Sequence, residues 1–277
     1  MSTYVVKDFV EVAEQLWPQH TKEPWDQVGL SVGNLEAQLQ RVLLAVDAVR
    51  ETVDEAIHAG ADLLFTHHPL LLHGAHSVAQ HTGKGSLIAS LIAAQCALFS
   101  AHTNADQPDG GVSSVLAKKL GLHHTAPIVD AQGPTEVFGL GRVGELAHAM
   151  PLREFAERVA DVLPGTVGGV RVAGDPQRLV QRVAVMGGAG DSLLDHPRVL
   201  SADVYLTSDL RHHPAQEFVE QSLVAGGPAL IDVSHWSSES LWLEGAAAEL
   251  GKRLPGVEFV ISALRTDPWT FAAGQVS

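Results

Sequence analysis

Short runs of apolar, β-branched or aromatic residues alternate along this chain with segments of helical periodicity, and several of those runs end abruptly in polar residues. Runs of that length, buried on both faces, are strands of parallel or mixed sheets covered by helices, so the pattern specifies an α/β architecture. The first amphipathic segment carries Phe9, Val12, Ala13, Leu16 and Trp17 on one helical face and stops at Pro18. Beyond it, Arg41 to Asp47 reads as a strand and Glu51 to His58 as a helix with Gly60 past its end. Asp62 to Thr66 reads as a buried strand, Ser86 to Gln95 as a helix and Ala97 to Ala101 as another strand.

The second half repeats this order with Arg182 to Met186, Ala202 to Thr207, a helix from Ala215 to Leu223, and Ala229 to Val233. Ala61-Asp-Leu-Leu-Phe-Thr66 matches Ala202-Asp-Val-Tyr-Leu-Thr207, and the preceding strand starts equally far upstream in each, Val42 to Asp62 and Val183 to Asp203. The equal spacing implies an internal duplication and two related α/β domains, 1–127 and 128–277, the C-terminal part of the second able to pack back on the first. Gly133-Pro134, an alternating run from Val137 to Val143 and a Pro151-initiated helix to Leu163 lie after the boundary.

Composition narrows the function classes. With 277 residues, 45% of them hydrophobic, the chain can bury a substantial core. A formal charge of -14 argues against constitutive binding to nucleic acid or to anionic membranes. The lone Cys96, inside the apolar run Leu87 to Phe99, reads as a buried small hydrophobe and excludes a disulfide or thiolate-zinc scaffold. No stretch reaches the roughly 18 apolar residues of a bilayer span, and the start has no basic region followed by an apolar one. A cytoplasmic protein is expected.

Histidine, with fifteen copies, is the residue type that points to chemistry. In open α/β sheets ligands bind beyond the C-terminal strand ends, and three strands here deliver histidines there. They are His67-His68-Pro69, His102 with Asp106 four residues on, and His235 with Glu239 four residues on. Imidazole and carboxylate together suit zinc, manganese, iron or cobalt, and this inventory exceeds one tetrahedral site, so a pair of divalent ions per chain uses it better. Pro69 forces His68 out of regular strand geometry, which lets both histidines turn to one site. Glu239 is expected in the first turn of the helix running to Leu250. His123-His124 and His73 read as loop residues, and His212-His213 beside Asp209 as possible pocket lining. Gly187-Gly-Ala-Gly190 reads as a tight strand-to-helix turn able to approach a phosphate.

Phe65-Thr-His-His-Pro-Leu70, Ala101-His-Thr-Asn-Ala-Asp106, Tyr205-Leu-Thr-Ser-Asp209 and His235-x-x-x-Glu239, with Trp25-Asp-Gln-Val-Gly-Leu30 and Val185-Met-Gly-Gly-Ala-Gly-Asp-Ser192, resemble the dinuclear-metal-centre family of GTP cyclohydrolase 1 type 2 homologues, the YbgI/YqfO type, in its short form without the inserted domain. Gln27, Ser208 and Pro214 depart from the family pattern. The resemblance implies that His67, His68, Asp106, His235 and Glu239 hold two metal ions, with Asp106 or Glu239 bridging, and that Trp25, Asp26 and Asp209 contact a small-molecule substrate. It also implies a homohexamer. The expected function is metal-dependent hydrolysis of a nucleotide or phosphorylated small molecule, including GTP cyclohydrolase-type ring opening, with His102 or His213 as proton donor. The alternative from another class is a non-catalytic metal-binding scaffold or regulatory protein.

Overall fold

The strand Leu63–Thr66 is buried along its whole length, which explains why its sequence shows no alternation. Leu64 joins one apolar cluster with Leu43, Val53, Leu91 and Leu98, while the ring of Phe65 faces the other way, stacked on Trp17 at 5.3 Å and edge-on to Phe9 at 5.8 Å. A sheet covered on both faces gives continuous apolar strands, and the helix Val6–Leu16, whose Phe9 and Ala13 are buried, supplies part of the aromatic cover. Cys96 packs in the opposite cluster as a small hydrophobe.

The structure is a computed structural model that describes residues 4–130 and 139–274. Gly133-Pro134 and the alternating run before Gly139 lie outside the described residues. The chain divides into two units, Met1–Ala105 with Leu243–Thr266, and Asp106–Trp242 with Asp267–Ser277. Position 127 thus falls inside the second unit, and the chain re-enters the first at Leu243.

Among the described residues, the first unit holds a five-stranded sheet in the order Glu258–Ile261, Arg41–Ala45, Leu63–Thr66, Ala97–Ser100, Gly29–Val32. Its first four strands are parallel and Gly29–Val32 is antiparallel to its neighbour. The second unit holds a six-stranded sheet in the order Arg171–Ala173, Ala229–Val233, Val204–Ser208, Leu179–Ala189, Arg142–Pro151, Leu122–Ala126. Only its three strands Ala229–Val233, Val204–Ser208 and Leu179–Ala189 run parallel; the others add antiparallel. That sheet too is covered on both sides, by Leu152, Phe155 and Val159 against Val183 and Leu206, and by Val199 and Phe218 against Ala184 and Tyr205.

The duplication is visible in hydrogen bonds. Asp62 accepts the backbone N–H groups of Gln40 (2.7 Å) and Arg41 (2.9 Å) through Oδ2, and Asp203 accepts those of Gln181 (2.9 Å) and Arg182 (2.8 Å) the same way. In both units the aspartate N–H then donates to the arginine carbonyl, starting the parallel ladder Val42↔Leu63 in one and Val183↔Val204 in the other. Each carboxylate satisfies N–H groups that a strand start would leave open. The equal spacing read from the sequence is the spacing of this clamp.

Helix boundaries differ from expectation at one point that matters. Ser234 caps a helix His235–Ser240 by accepting the N–H of Ser237 at 3.3 Å, and a separate helix Trp242–Arg253 follows. Glu239 therefore sits in the last turn of the short helix and not in the first turn of the longer one. Among the described residues no helix is long and apolar enough to cross a membrane.

Candidate metal centre

Three histidines gather at the C-terminal edge of the first unit's parallel strands. The ladder past Thr66 continues for two residues, His67 N to Ala45 O at 3.2 Å and His68 N to Val46 O at 2.8 Å. Thr66 Oγ1 then donates to His68 O at 2.9 Å and pins the turn into Pro69. Both imidazoles consequently lie side by side, ring centres 5.0 Å apart, with His102 from the neighbouring strand end 5.2 and 5.4 Å away. One ligand atom from each of the three falls within 4.8 Å of the others.

What stands behind each ring sets which nitrogen faces inward. His67 Nδ1 lies 2.9 Å from Ala101 O, His68 Nδ1 2.7 Å from Asp47 Oδ1, and His102 Nδ1 2.9 Å from Asp26 Oδ1. All three partners are acceptors, so Nδ1 carries a hydrogen and Nε2 is the nitrogen left for ligation. Imidazoles grouped in this way could hold a borderline divalent cation, and metal-binding histidines are held by just such acceptors.

Asp26, expected to touch substrate, is fully buried. Its carboxylate takes hydrogen bonds from Thr103 N at 3.0 Å, Thr103 Oγ1 at 2.5 Å and Gln27 N at 2.7 Å as well as facing His102. Burial would raise its pKa, but the His102 and Thr103 hydrogen bonds outweigh burial and hold the carboxyl well below the usual range. Its neighbour Trp25 is 58% exposed, with its ring edge-on to His102 at 5.9 Å.

The second unit builds a different group. His235 Nε2 lies 3.0 Å from Glu239 Oε1, one helical turn away, and its Nδ1 lies 2.7 Å from Asp209 Oδ2. Burial works against a charged imidazole, but the buried Glu239 carboxylate and the Asp209 hydrogen bond prevail and raise the His235 pKa to about 11. An imidazolium held between two carboxylates occupies the place a cation could take. Gly188 makes room for this pair. Its φ is +74°, and a Cβ there would stand 2.4 Å from Glu239 Oε1 and 3.2 Å from His235 Nε2. The glycine-rich run continues the strand Leu179–Ala189 and packs against side chains, where a strand-to-helix turn was expected.

The remaining candidates are placed as follows. Asp106 is buried at the end of the short helix Thr103–Asp106, where its charge acts on the buried Arg142. Asp209, at φ +57°, orients His235. His213 is exposed in the first turn of His212–Ala225, 5.2 Å from the His212 ring, and among the described residues belongs to no metal-capable group. The sequence reading missed Asp47, and it singled out the run Gly187 to Gly190 without the room that Gly188 makes for Glu239 and His235. An aspartate two residues past a buried strand resembles the ligand-bearing ends elsewhere in the chain, and that signal could have found Asp47.

The sequence matches the Duf34/NIF3 (NGG1p interacting factor 3) family over residues 4–268. A Streptomyces coelicolor protein named GTP cyclohydrolase 1 type 2 homolog is 46% identical over 270 residues, covering 96% of this chain and 93% of that protein. A Mycobacterium leprae protein of the same name is 33% identical over 376 aligned positions that cover 98% of this chain and 96% of its own, so it contains inserted sequence absent here. The crystal structure of a Bacillus cereus protein related to NIF3 shares the fold, with a TM-score of 0.89 at 23% identity, covering 98% of this chain and 100% of that one.

Proposed function

This chain belongs to the Duf34/NIF3 family, and from that premise we propose that it binds two divalent cations and hydrolyses a nucleotide or related phosphorylated small molecule. The observation that carries the reading is the adjacent imidazole pair His67 and His68, each held through Nδ1 by an acceptor, with His102, held the same way, beside them for proton transfer. The family resemblance names His67, His68, Asp106, His235 and Glu239 as the residues that would hold the ions, which are zinc, manganese, iron or cobalt by donor type. When bound, such a pair supplies Lewis-acid activation of water for hydrolysis.

The chain's own residues have distinct tasks in this reading. His102, backed by the buried Asp26, keeps one tautomer and exchanges a proton at Nε2. Trp25 offers an exposed ring beside His102 for a substrate to rest on. Asp209 holds His235 through Oδ2, and His213 is given no step. The name of the relatives makes opening of a purine-nucleotide ring the first reaction to assay, with phosphoester hydrolysis second. A cytoplasmic homohexamer is part of the proposal, carried by the family resemblance.

Elemental analysis and a nucleotide hydrolysis screen on wild type, His68→Ala and His102→Ala test it. Wild type should carry two ions per chain, His68→Ala should lose metal and turnover, and His102→Ala should keep metal while losing turnover. Metal without turnover on any nucleotide would favour the non-catalytic scaffold. Turnover at the wild-type rate in metal-depleted His68→Ala would sink the hydrolase reading.

A further inference from the structure

The three imidazoles of the first unit differ in what supports their partners. Ala101 O is backbone, and Asp26 is fixed within its own loop and by Thr103. Asp47, behind His68, is gripped by a side chain 219 positions away, because Thr266 Oγ1 donates to Asp47 Oδ2. Strand register brings that residue there. Glu258–Ile261 runs parallel beside Arg41–Ala45 with Ile261 opposite Leu44, and the ladder extends when Ser262 N donates to Leu44 O at 2.8 Å. Ser262 Oγ donates to Glu55, anchoring the segment before it reaches Thr266. Residues 262–266 thus form a strap beyond the sheet edge from which Asp47 and His68 rise.

We propose that Asp47 and Thr266 are a positioning pair for His68, through which the C-terminal strap sets the tautomer and ring angle of a cation ligand. With Oδ2 tied to Thr266, the carboxylate cannot turn away from His68, and Oδ1 stays 2.7 Å from Nδ1. That locks the hydrogen on Nδ1 and leaves Nε2 as donor, whereas an unconstrained histidine favours the hydrogen on Nε2, where it blocks ligation. Neither residue touches a cation in this scheme. The inference rests on reading His68 as a ligand, and its test separates the two claims.

Long-range proton–nitrogen NMR on the metal-free full chain at pH 8 reads the tautomer, and cobalt(II) titration against a chelator reads the affinity. Wild type should show His68 as the single Nδ1–H tautomer. Asp47→Ala should shift it toward Nε2–H and weaken cobalt binding about 10- to 100-fold, the usual effect of removing such a partner. Thr266→Val should shift both readouts in the same direction by a smaller amount, and Thr266→Ser, which keeps the hydroxyl, should restore them. If Asp47→Ala does not fold, the Thr266 variants carry the test. An unchanged tautomer and affinity in the variants that fold overturns the proposal, including where only the melting temperature drops. If wild type binds no cobalt while Asp47→Ala still shifts the tautomer, the ligand reading is overturned and Asp47 remains the residue that sets His68.

Discussion

His102 Nδ1 and Asp26 Oδ1 meet at 2.9 Å, and Asp26 is sealed from solvent. The carboxyl is held below its ordinary pKa in the folded chain, so the unfolded chain takes up the proton first on acidification. Its contribution to stability is therefore complete above the ordinary carboxylate range near pH ~4 and declines as pH falls through the depressed folded value. Asp26→Asn should flatten that acid limb and cost about 1–3 kcal/mol at neutral pH, since a buried network loses a charged acceptor. Urea midpoints measured between pH 3 and 7 on both proteins check this. Parallel acid limbs would show that Asp26 is already protonated.

Cation binding at His235 should release a proton. The imidazole is held charged by Glu239 and Asp209 with its pKa raised to about 11, and a ligating nitrogen must be neutral. Apparent affinity should fall as pH falls, and Glu239→Gln should shrink the proton release because the main carboxylate is gone. Calorimetric titration in buffers of different ionisation enthalpy measures the proton count directly. A count of zero in wild type contradicts the assignment.

Gly188→Ala should be costly twice over. The backbone there has φ +74°, which disfavours any side chain by about 1–3 kcal/mol, and the new methyl would meet Glu239 Oε1 at 2.4 Å. Chemical denaturation should show the stability loss, and metal content per chain should drop with it. Full metal content in a folded Gly188→Ala protein would mean that Glu239 can move aside.

Asp62→Ala and Asp203→Ala should destabilise their own units by similar amounts, about 1–3 kcal/mol each, because each leaves two strand-start N–H groups without their carboxylate. Hydrogen exchange at residues 41–45 and 182–186 reads the two effects separately. Equal loosening at both places in either variant would contradict this local account.

Cys96 should resist thiol reagents in the folded protein. Burial pushes its thiol up to about 12, which leaves almost no thiolate at pH 8. Reaction with a disulfide reagent should track unfolding in urea, and modification within seconds under native conditions would show that the cluster opens.

Much of the fold was legible because it rests on local pattern. Runs such as Asp62 to Thr66 are too apolar to lie anywhere but a covered sheet, and the repeated Ala-Asp start, which marks the duplication, falls on the carboxylate clamp. The histidines at strand ends were legible for the same reason. Their supports were not. Asp26 reaches His102 across 76 positions, Asp47 reaches His68 across 21, and Thr266 reaches Asp47 across 219, distances at which sequence spacing carries no signal. Glu239 was assigned to the wrong helix because Ser234 begins a helix that apolar periodicity alone does not announce. The expectation that the C-terminal part packs back on the first domain came without bounds, since where re-entry begins and ends depends on which strand Glu258–Ile261 pairs with.

That pairing has a consequence for synthesis. A ribosome that has released Met1–Ala105 has not yet made the strand that covers Arg41–Ala45, so a nascent chain carries an open β edge while Asp106–Trp242 is translated. Premature termination anywhere before residue 258 should therefore yield fragments prone to edge-to-edge pairing.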